Sequence, residues 1–351
     1  MELTITDIVG ILIIYQSLIF ILSLFFNKKP KPLFAKVLIS ICLLIVVHFI
    51  YMFFEKNNPI NHIFLGPFFG LIYGPIYYIY AKSLILKSLN NKNIIIHLIP
   101  ALIVLIGLVF LGEKIIEVIN IIGLVIITHF IAYLFVSLSF IYKYRKLLKS
   151  TTSSFYSISL LWLEILIYLQ LTIIVVMILE SYFQSFLIAN TFVLIIYILT
   201  LILINCFYYL GLKQVRLFKG FKEERTKTLI ATKEYKVSEE LFNSYVSQLT
   251  NYMKLEKPYL EFDISLQDLS DKLSISTRNL SHVINKKFER NFYDFINHYR
   301  LELVKQNLQE SNKPIKEIMY DCGFSNKATF NSIFKKNTAL TPSQFRENHK
   351  S

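Results

Sequence analysis

Residues 323–346 read GFSNKATFNSIFKKNTALTPSQFR. Phe330, Ile333 and Phe334 recur at three- and four-residue spacing, which predicts a helix over about 326–336 with one buried face. Its other face carries Lys327, Ala328, Asn331, Ser332 and Lys335. Thr341, Pro342 and Gln344 then occupy the cap, first and third positions of a further short helix. Upstream, Pro314 suits the first turn of a helix that buries Ile315, Ile318 and Met319. Cys322 to Ser325 is the turn between the two helices, and Gly323 supplies a backbone angle that other residues resist. The stretch is a short helix, a glycine turn and a second helix with one apolar and one polar face.

The same arrangement is legible fifty residues earlier. Ser265 with Asp268 resembles a capping box and opens a short helix with Leu266, Leu269 and Leu273 on one face. Ser274, Ile275 and Ser276 form a tight turn. The next helix buries Leu280, Val283, Ile284 and Phe288 and exposes Arg278, Asn279, Ser281, His282 and Asn285. A helix over about 292–308 links the two pairs, and an amphipathic helix over 241–254 precedes them. Two short helices joined by a tight turn make the helix-turn-helix pattern. It occurs twice here, with second helices beginning near Ser276 and Asn326.

Further toward the N-terminus the composition changes. The whole chain is 54% hydrophobic and 17% charged, yet carries a net charge of +13. Residues 1–212 hold 13 Lys/Arg and 7 Asp/Glu, and residues 213–351 hold 24 and 17. The charged fraction rises threefold across that point, so an apolar, membrane-like part precedes a soluble one. A wholly soluble enzyme, a secreted disulfide scaffold and a disordered chain are excluded. Seven apolar stretches of about the length a bilayer needs lie at 4–26, 33–54, 63–86, 94–111, 116–142, 157–181 and 186–211. The first is expected to be an anchor, because Glu2 and Asp7 stand where a cleaved leader carries basic residues. With the N-terminus outside, fourteen Lys/Arg fall at inner ends and only Lys56 and Lys114 at outer ends. An odd span count and this bias both place the C-terminal part in the cytoplasm. The outer loops are too short for a sensor domain, so any stimulus must reach the bundle itself. The expected architecture is all-α: a seven-span bundle over 1–211, a connector over 212–240 and a helix-turn-helix domain over 241–351.

Candidate sensing residues lie in the bundle. Gly66-Pro67 and Gly74-Pro75 sit eight residues apart in the third span. Such pairs kink a helix and free carbonyls, as in a packing helix or, second, a movable element or ligand cleft. Glu164 is the acidic residue two turns into the sixth span; a structural partner is the first reading, sensing the second and ion transport the third. Cys42, Cys206 and Cys322 form no C-x-x-C, and the histidines form no metal motif. No metal, cofactor or catalytic role is expected, since no nucleophile, metal or phosphate-loop constellation occurs.

Residues 238–349 resemble the DNA-binding module of the AraC-type family of bacterial transcription regulators. Gly323 through Phe330, Phe334-Lys335-Lys336, Thr341-Pro342 and Phe345-Arg346 carry the resemblance, with Ser265 to Asn285 and Phe292 to Arg300 in support. It covers about a third of the chain. Ala339 departs from a usual Gly, and Met319 and Ser270 from a usual small Ala. A bundle stands where many members carry a soluble ligand-binding domain, so metabolite binding of that kind does not carry over. The resemblance implies one chain reading two successive major grooves, about 34 Å apart.

Groove chemistry then assigns roles. Arg278 and Lys327 suit guanine, Asn279 and Asn331 suit adenine, His282 suits an acceptor, and Ala328 and Thr329 suit a thymine methyl. Ser276, Thr277, Ser281, Asn285, Asn326 and Ser332 complete the two faces. Lys286, Lys287, Lys335, Lys336 and Arg346 suit phosphate. Arg300 and Glu302 are read as a structural pair on the linking helix. The expected function is a membrane-anchored, sequence-specific transcription regulator in a bacterial inner membrane, coupling a membrane or small-molecule signal to gene expression. The expected partners are double-stranded DNA, the lipid bilayer, RNA polymerase, a second copy of the chain and an unknown small ligand. The rival is a transporter or receptor whose cytoplasmic domain is regulatory or binds a protein.

Overall fold

The computed structural model describes residues 3–26, 33–57, 65–86, 89–111, 116–153, 155, 159–183, 189–218 and 238–349. Among these no β-strand occurs; a single antiparallel bridge joins Thr152 to Ser265. The chain divides into two compact units, Met1–Tyr142 with Leu160–Lys219, and Lys143–Ser159 with Gly220–Ser351.

The first unit is built from α1 (Ile5–Phe25), α2 (Leu33–Asn57), α3 (Gly66–Ile85), α4 (Asn91–Leu111), most of α5 (Ile116–Thr151), α6 (Leu161–Tyr182) and α7 (Ala189–Phe218). Five of these contain stretches long and apolar enough to cross a membrane: α1, α2, Gly123–Thr151 of α5, α6 and Asn190–Gly211 of α7. The apolar part of α4, Ile94–Leu108, is shorter. In α3 two Gly-Pro pairs and four tyrosines lower the hydropathy. Large apolar side chains face outward, among them Ile103, Phe110, Leu124, Phe135 and Ile165, as lipid contact requires and water does not. Several polar side chains within the helices pair with one another. Lys56 Nζ lies 2.7 Å from Asp7, and Gln16 and Asn205 exchange hydrogen bonds. His48 meets the Tyr73 hydroxyl at 2.8 Å, His97 meets Tyr133 at 2.8 Å, and the Tyr77 hydroxyl donates to Gln170 at 2.9 Å. Each pair joins two helices and leaves fewer polar atoms facing hydrocarbon.

Two glycines of α3 allow α5 to approach closely. A Cβ at Gly70 would stand 2.4 Å from Ile126, and one at Gly74 would stand 3.0 Å from Tyr133 and 3.3 Å from the Phe130 backbone. Pro75 sits inside the helix beside this contact.

The second unit contains α8 (Glu239–Leu255), a 3-10 turn (Pro258–Leu260), α9 (Leu266–Leu273), α10 (Thr277–Phe288), α11 (Phe292–Glu310), α12 (Ile315–Asp321), α13 (Lys327–Thr338) and α14 (Pro342–His349). Side-chain caps set most of its helix starts. The Ser265–Asp268 capping box is present in both directions, and Thr341 with Gln344 forms a second one at α14. Ser276, Asn291 and Asn326 accept from the backbone N–H three residues on. Ser270, one of the departures from the family pattern, donates its hydroxyl to the Ile275 carbonyl and pins the α9–α10 turn. Gly323 has φ +84°, and a Cβ there would stand 2.5 Å from the Tyr259 carbonyl oxygen.

The apolar faces meet in two places. Leu249, Met253, Leu269, Val283, Ile284 and Phe295 join α8 to α11 around one core. Phe324, Phe330, Phe334 and Phe345 form a chain of ring contacts 5.3–5.8 Å apart around α12 to α14. Arg300 of α11 is not paired with Glu302, whose carboxylate instead meets Lys305 at 2.8 Å. Arg300 is buried and donates to the carbonyls of Tyr259 and Glu261, 2.7 Å each. Residues two positions apart on a helix fall on nearly opposite sides, so position 300 points into the core and 302 to solvent.

Candidate nucleic-acid interface

Helix α10 exposes Arg278, His282, Asn285 and Lys286, with Thr277, Asn279 and Ser281 half-buried beside them. Leu280, Val283 and Ile284 hold the opposite face in the core. The polar face therefore follows from where the apolar one goes. Helix α13 repeats this. Phe330, Ile333 and Phe334 are buried, while Lys327, Ala328, Asn331, Ser332, Lys335 and Lys336 are exposed and Thr329 is half-buried.

The cap residues Ser276 and Asn326 are exposed, but each already accepts a backbone N–H, from Asn279 at 3.2 Å and Thr329 at 3.0 Å. What they retain for a ligand is hydrogen-bond donation. Asn285 donates to Ser281 Oγ at 3.3 Å. Lys286 lies 5.1 Å above the Phe242 ring and His282 meets the same ring edge-on at 5.8 Å. Both helices end in a lysine pair, Lys286-Lys287 and Lys335-Lys336, where the helix dipole favours cations. Neutral donors and acceptors occupy the earlier turns. Arg346 spends a guanidinium N–H on the Lys313 carbonyl at 2.7 Å, tying α14 to the start of α12. Among the described residues no group of His, Cys, Asp or Glu is placed to hold a metal ion.

A helix-turn-helix domain family matches residues 269–348, which include both α10 and α13. An uncharacterized HTH-type transcriptional regulator of Escherichia coli K12, YijO, is 32% identical over 88 residues, covering 25% of this chain and 31% of that protein. An uncharacterized HTH-type transcriptional regulator of Staphylococcus aureus is 33% identical over 101 residues, covering 29% of this chain and 13% of that protein. Residues 269–348 are thus similar to the helix-turn-helix domains of bacterial transcriptional regulators. The chain spans less than a third of the length of these curated relatives. Among solved structures, the C-terminal domain of AraT, a response regulator from Geobacillus stearothermophilus, aligns at 24% identity and a TM-score of 0.29, covering 30% of this chain and 87% of that one.

The second unit also contains contacts that the sequence does not signal. Ser153, from the far side of 110 intervening residues, bonds the Ile264 carbonyl just before α9. No local pattern signals such a contact.

The residues singled out for sensing fall in the first unit and separate into three places. Gly66 lines a cavity of about 620 Å³ between α2, α3, α5, α6 and α7. His48, Tyr73, Tyr77, Phe130, Gln170 and Tyr197 are among its walls, and no Lys or Arg is. Pro67 is buried at the first turn of α3, and Gly74 and Pro75 pack toward α5. Glu164 is half-buried in the first turn of α6 and does not line the cavity. It lies in the first turn and not two turns in, because Leu160 (φ 55°) starts the helix at Leu161. The connector's residues 219–237 lie outside the described residues.

Proposed function

We propose that the chain is a membrane-anchored, sequence-specific transcription regulator, with a seven-span bundle over 1–211, a connector over 212–240 and a DNA-reading domain over 241–351. The carrying observation is the pair of helices α10 and α13, each held by an apolar face and each presenting an outward face of polar and basic residues. Both are helix-turn-helix recognition helices, and each enters a major groove. Arg278, Asn279, His282, Lys327, Ala328, Thr329 and Asn331 read base edges; Lys286, Lys335 and Lys336 meet phosphate. Ser276, Thr277, Ser281, Asn285, Asn326 and Ser332 complete the contact.

The bundle lies in the inner membrane of a bacterium, N-terminus outside and reader in the cytoplasm. Lys/Arg excess at the inner ends supports that orientation. The signal is a small molecule taken into the 620 Å³ cavity. Its aromatic and aliphatic walls, with polar atoms from His48, Tyr73, Tyr77, Gln170 and Glu180 and no Lys or Arg, suit a largely apolar molecule with one or two hydrogen-bonding groups and no negative charge. RNA polymerase and a second copy of the chain are the protein partners.

The test uses the full chain in lipid nanodiscs and a random duplex library. Repeated selection is expected to recover a preferred sequence with two half-sites about one helical turn apart. Binding with no preferred sequence, lost uniformly as salt rises, would sink the reading.

A further inference from the structure

The reader unit includes a piece of the membrane helix α5. Thr152 and Ser153 follow its last turn and are buried, 4% and 5% exposed. Thr152 bridges to Ser265, and the Ser153 N–H donates to the Ile264 carbonyl at 3.1 Å. The Ser153 hydroxyl lies 2.9 Å from the same carbonyl and 3.3 Å from that of Phe262, and Arg300 approaches it at 3.5 Å. Phe155 is 2% exposed, with its ring 5.4 Å from that of Tyr293 on α11. Arg145 and Lys149 of α5 also stand over that ring, at 5.6 and 5.2 Å.

These contacts converge on one place. Ser265 is the N-cap of α9, the first helix of the first helix-turn-helix unit. The segment that leads into it, Tyr259 to Ile264, is gripped from one side by Arg300 and from the other by Ser153. A loop merely lying on the surface would not bury two polar side chains against backbone carbonyls.

The same helix reaches the cavity. Ile126, Ile127 and Phe130 of α5 line it, and α3 grips α5 at Gly70 and Gly74 beside it. α5 is one helix of 36 residues, of which the part up to Tyr142 belongs to the first unit and the rest to the second.

We infer that Thr152, Ser153 and Phe155, which follow the last turn of α5, form a docking arm for the reader, and that α5 carries the bundle's signal to the start of α9. This inference rests on the transcription-regulator reading above. With the arm docked, Arg278, His282, Asn285, Lys327, Asn331 and Lys335 are all exposed. The docked state is therefore the reading-competent one, and undocking lowers affinity for DNA.

Two variants of the full chain in nanodiscs test this, assayed on the duplex selected by the wild type. Ser153→Ala with Phe155→Ala is expected to weaken binding about tenfold, within the usual range of coupling between sites. Ser153→Thr, which keeps the hydroxyl, is expected to bind as the wild type does. Thr152→Cys with Ser265→Cys places two thiols at bridge partners, a spacing a disulfide accepts. Oxidised, this variant is expected to crosslink within the chain and keep the affinity of the Ser265→Cys control. Wild-type affinity in the double alanine variant, or failure of the two cysteines to join, overturns the docking arm. A wild-type chain with no preferred sequence is a different result, and it overturns the functional reading instead.

Discussion

Arg300 Nε donates to the Tyr259 carbonyl at 2.7 Å, across 41 residues of chain. A second guanidinium N–H reaches the Glu261 carbonyl at 2.7 Å, and the residue is 3% exposed. Burial lowers its pKa to about 10, partly offset by Tyr293 and Asp263, so the group remains a cation at neutral pH. A planar fork satisfies two carbonyls that lie on one bend, which a single ammonium does not. Arg300→Ala would leave both carbonyls unsatisfied and a void beside Gly323, at a cost of about 3 kcal/mol to the reader unit. Arg300→Lys should recover less than half of that. Urea unfolding followed by the reader's amide exchange measures both.

Ala339 ends α13 in the left-handed region, at φ 61° and ψ −4°. A Cβ in that region costs roughly 1–2 kcal/mol, and glycine avoids it. Glycine also loses more backbone freedom on folding. The net expectation for Ala339→Gly is a stabilisation of about 0.5–1 kcal/mol with DNA affinity unchanged, since the substitution touches neither reading face. A lower midpoint in urea would contradict it.

These two residues mark how far sequence reading carries. Caps and turns are local, so Ser265 with Asp268, Gly323 and Thr341 with Gln344 were legible from spacing alone, as were the buried stripes of α9 to α13. The polar faces of α10 and α13 followed from those stripes. Arg300 was read as a partner of Glu302 because they are near in sequence. The winning acceptors are backbone carbonyls 39 and 41 residues away, and carbonyls leave no mark in a sequence. Ser153 was illegible for the same reason. Glu164 was misjudged by depth because the helix start depends on a positive φ at Leu160, a leucine that carries no turn signal.

Cys322 lies buried behind α12, where burial pushes its thiol up from 9.0 to about 11 despite a hydrogen bond from Asn307. A folded-state value above the unfolded one stabilises the fold. That contribution is fully present below pH 9 and is lost as pH rises toward 11. The thiolate is the reactive form, and at pH 8 only about a thousandth of Cys322 is ionised. In a Cys42→Ala, Cys206→Ala background, iodoacetamide should label the native protein at least tenfold more slowly than the urea-unfolded one. Equal rates at pH 8 would show that the thiol is exposed.

Arg278 and Lys336 separate the two kinds of DNA contact. Arg278 is exposed in the first turn of α10, which on the proposed function reads base edges, and Lys336 is exposed in the last turn of α13, which on that proposal meets phosphate. Arg278→Ala is expected to relax discrimination at one base position by about 1–3 kcal/mol. Lys336→Ala is expected to weaken all sequences alike and to reduce the slope of log affinity against log salt by about 1. Affinities on a panel of single-base variants at three salt concentrations measure both. A Lys336→Ala profile that alters base preference would reverse the assignment.

The cavity's chemistry makes a sharp distinction among ligands. Its polar atoms come from neutral hydrogen-bonding groups and from Glu180, and it holds no Lys or Arg. An anion would enter a low-dielectric space with no countercharge, at a cost of several kcal/mol. Full chain in nanodiscs should therefore quench the fluorescence of 1-naphthol saturably and leave naphthalene-1-sulfonate unaffected. Ile173 lies in the wall beside Gln170, so Ile173→Trp fills the space without adding charge. It is expected to weaken naphthol binding at least tenfold while the reader's affinity for its selected duplex without naphthol stays within twofold. Equal binding of the two probes, or naphthol binding that ignores Ile173→Trp, would mean that the molecule dissolves in the surrounding lipid and that the cavity is not its site.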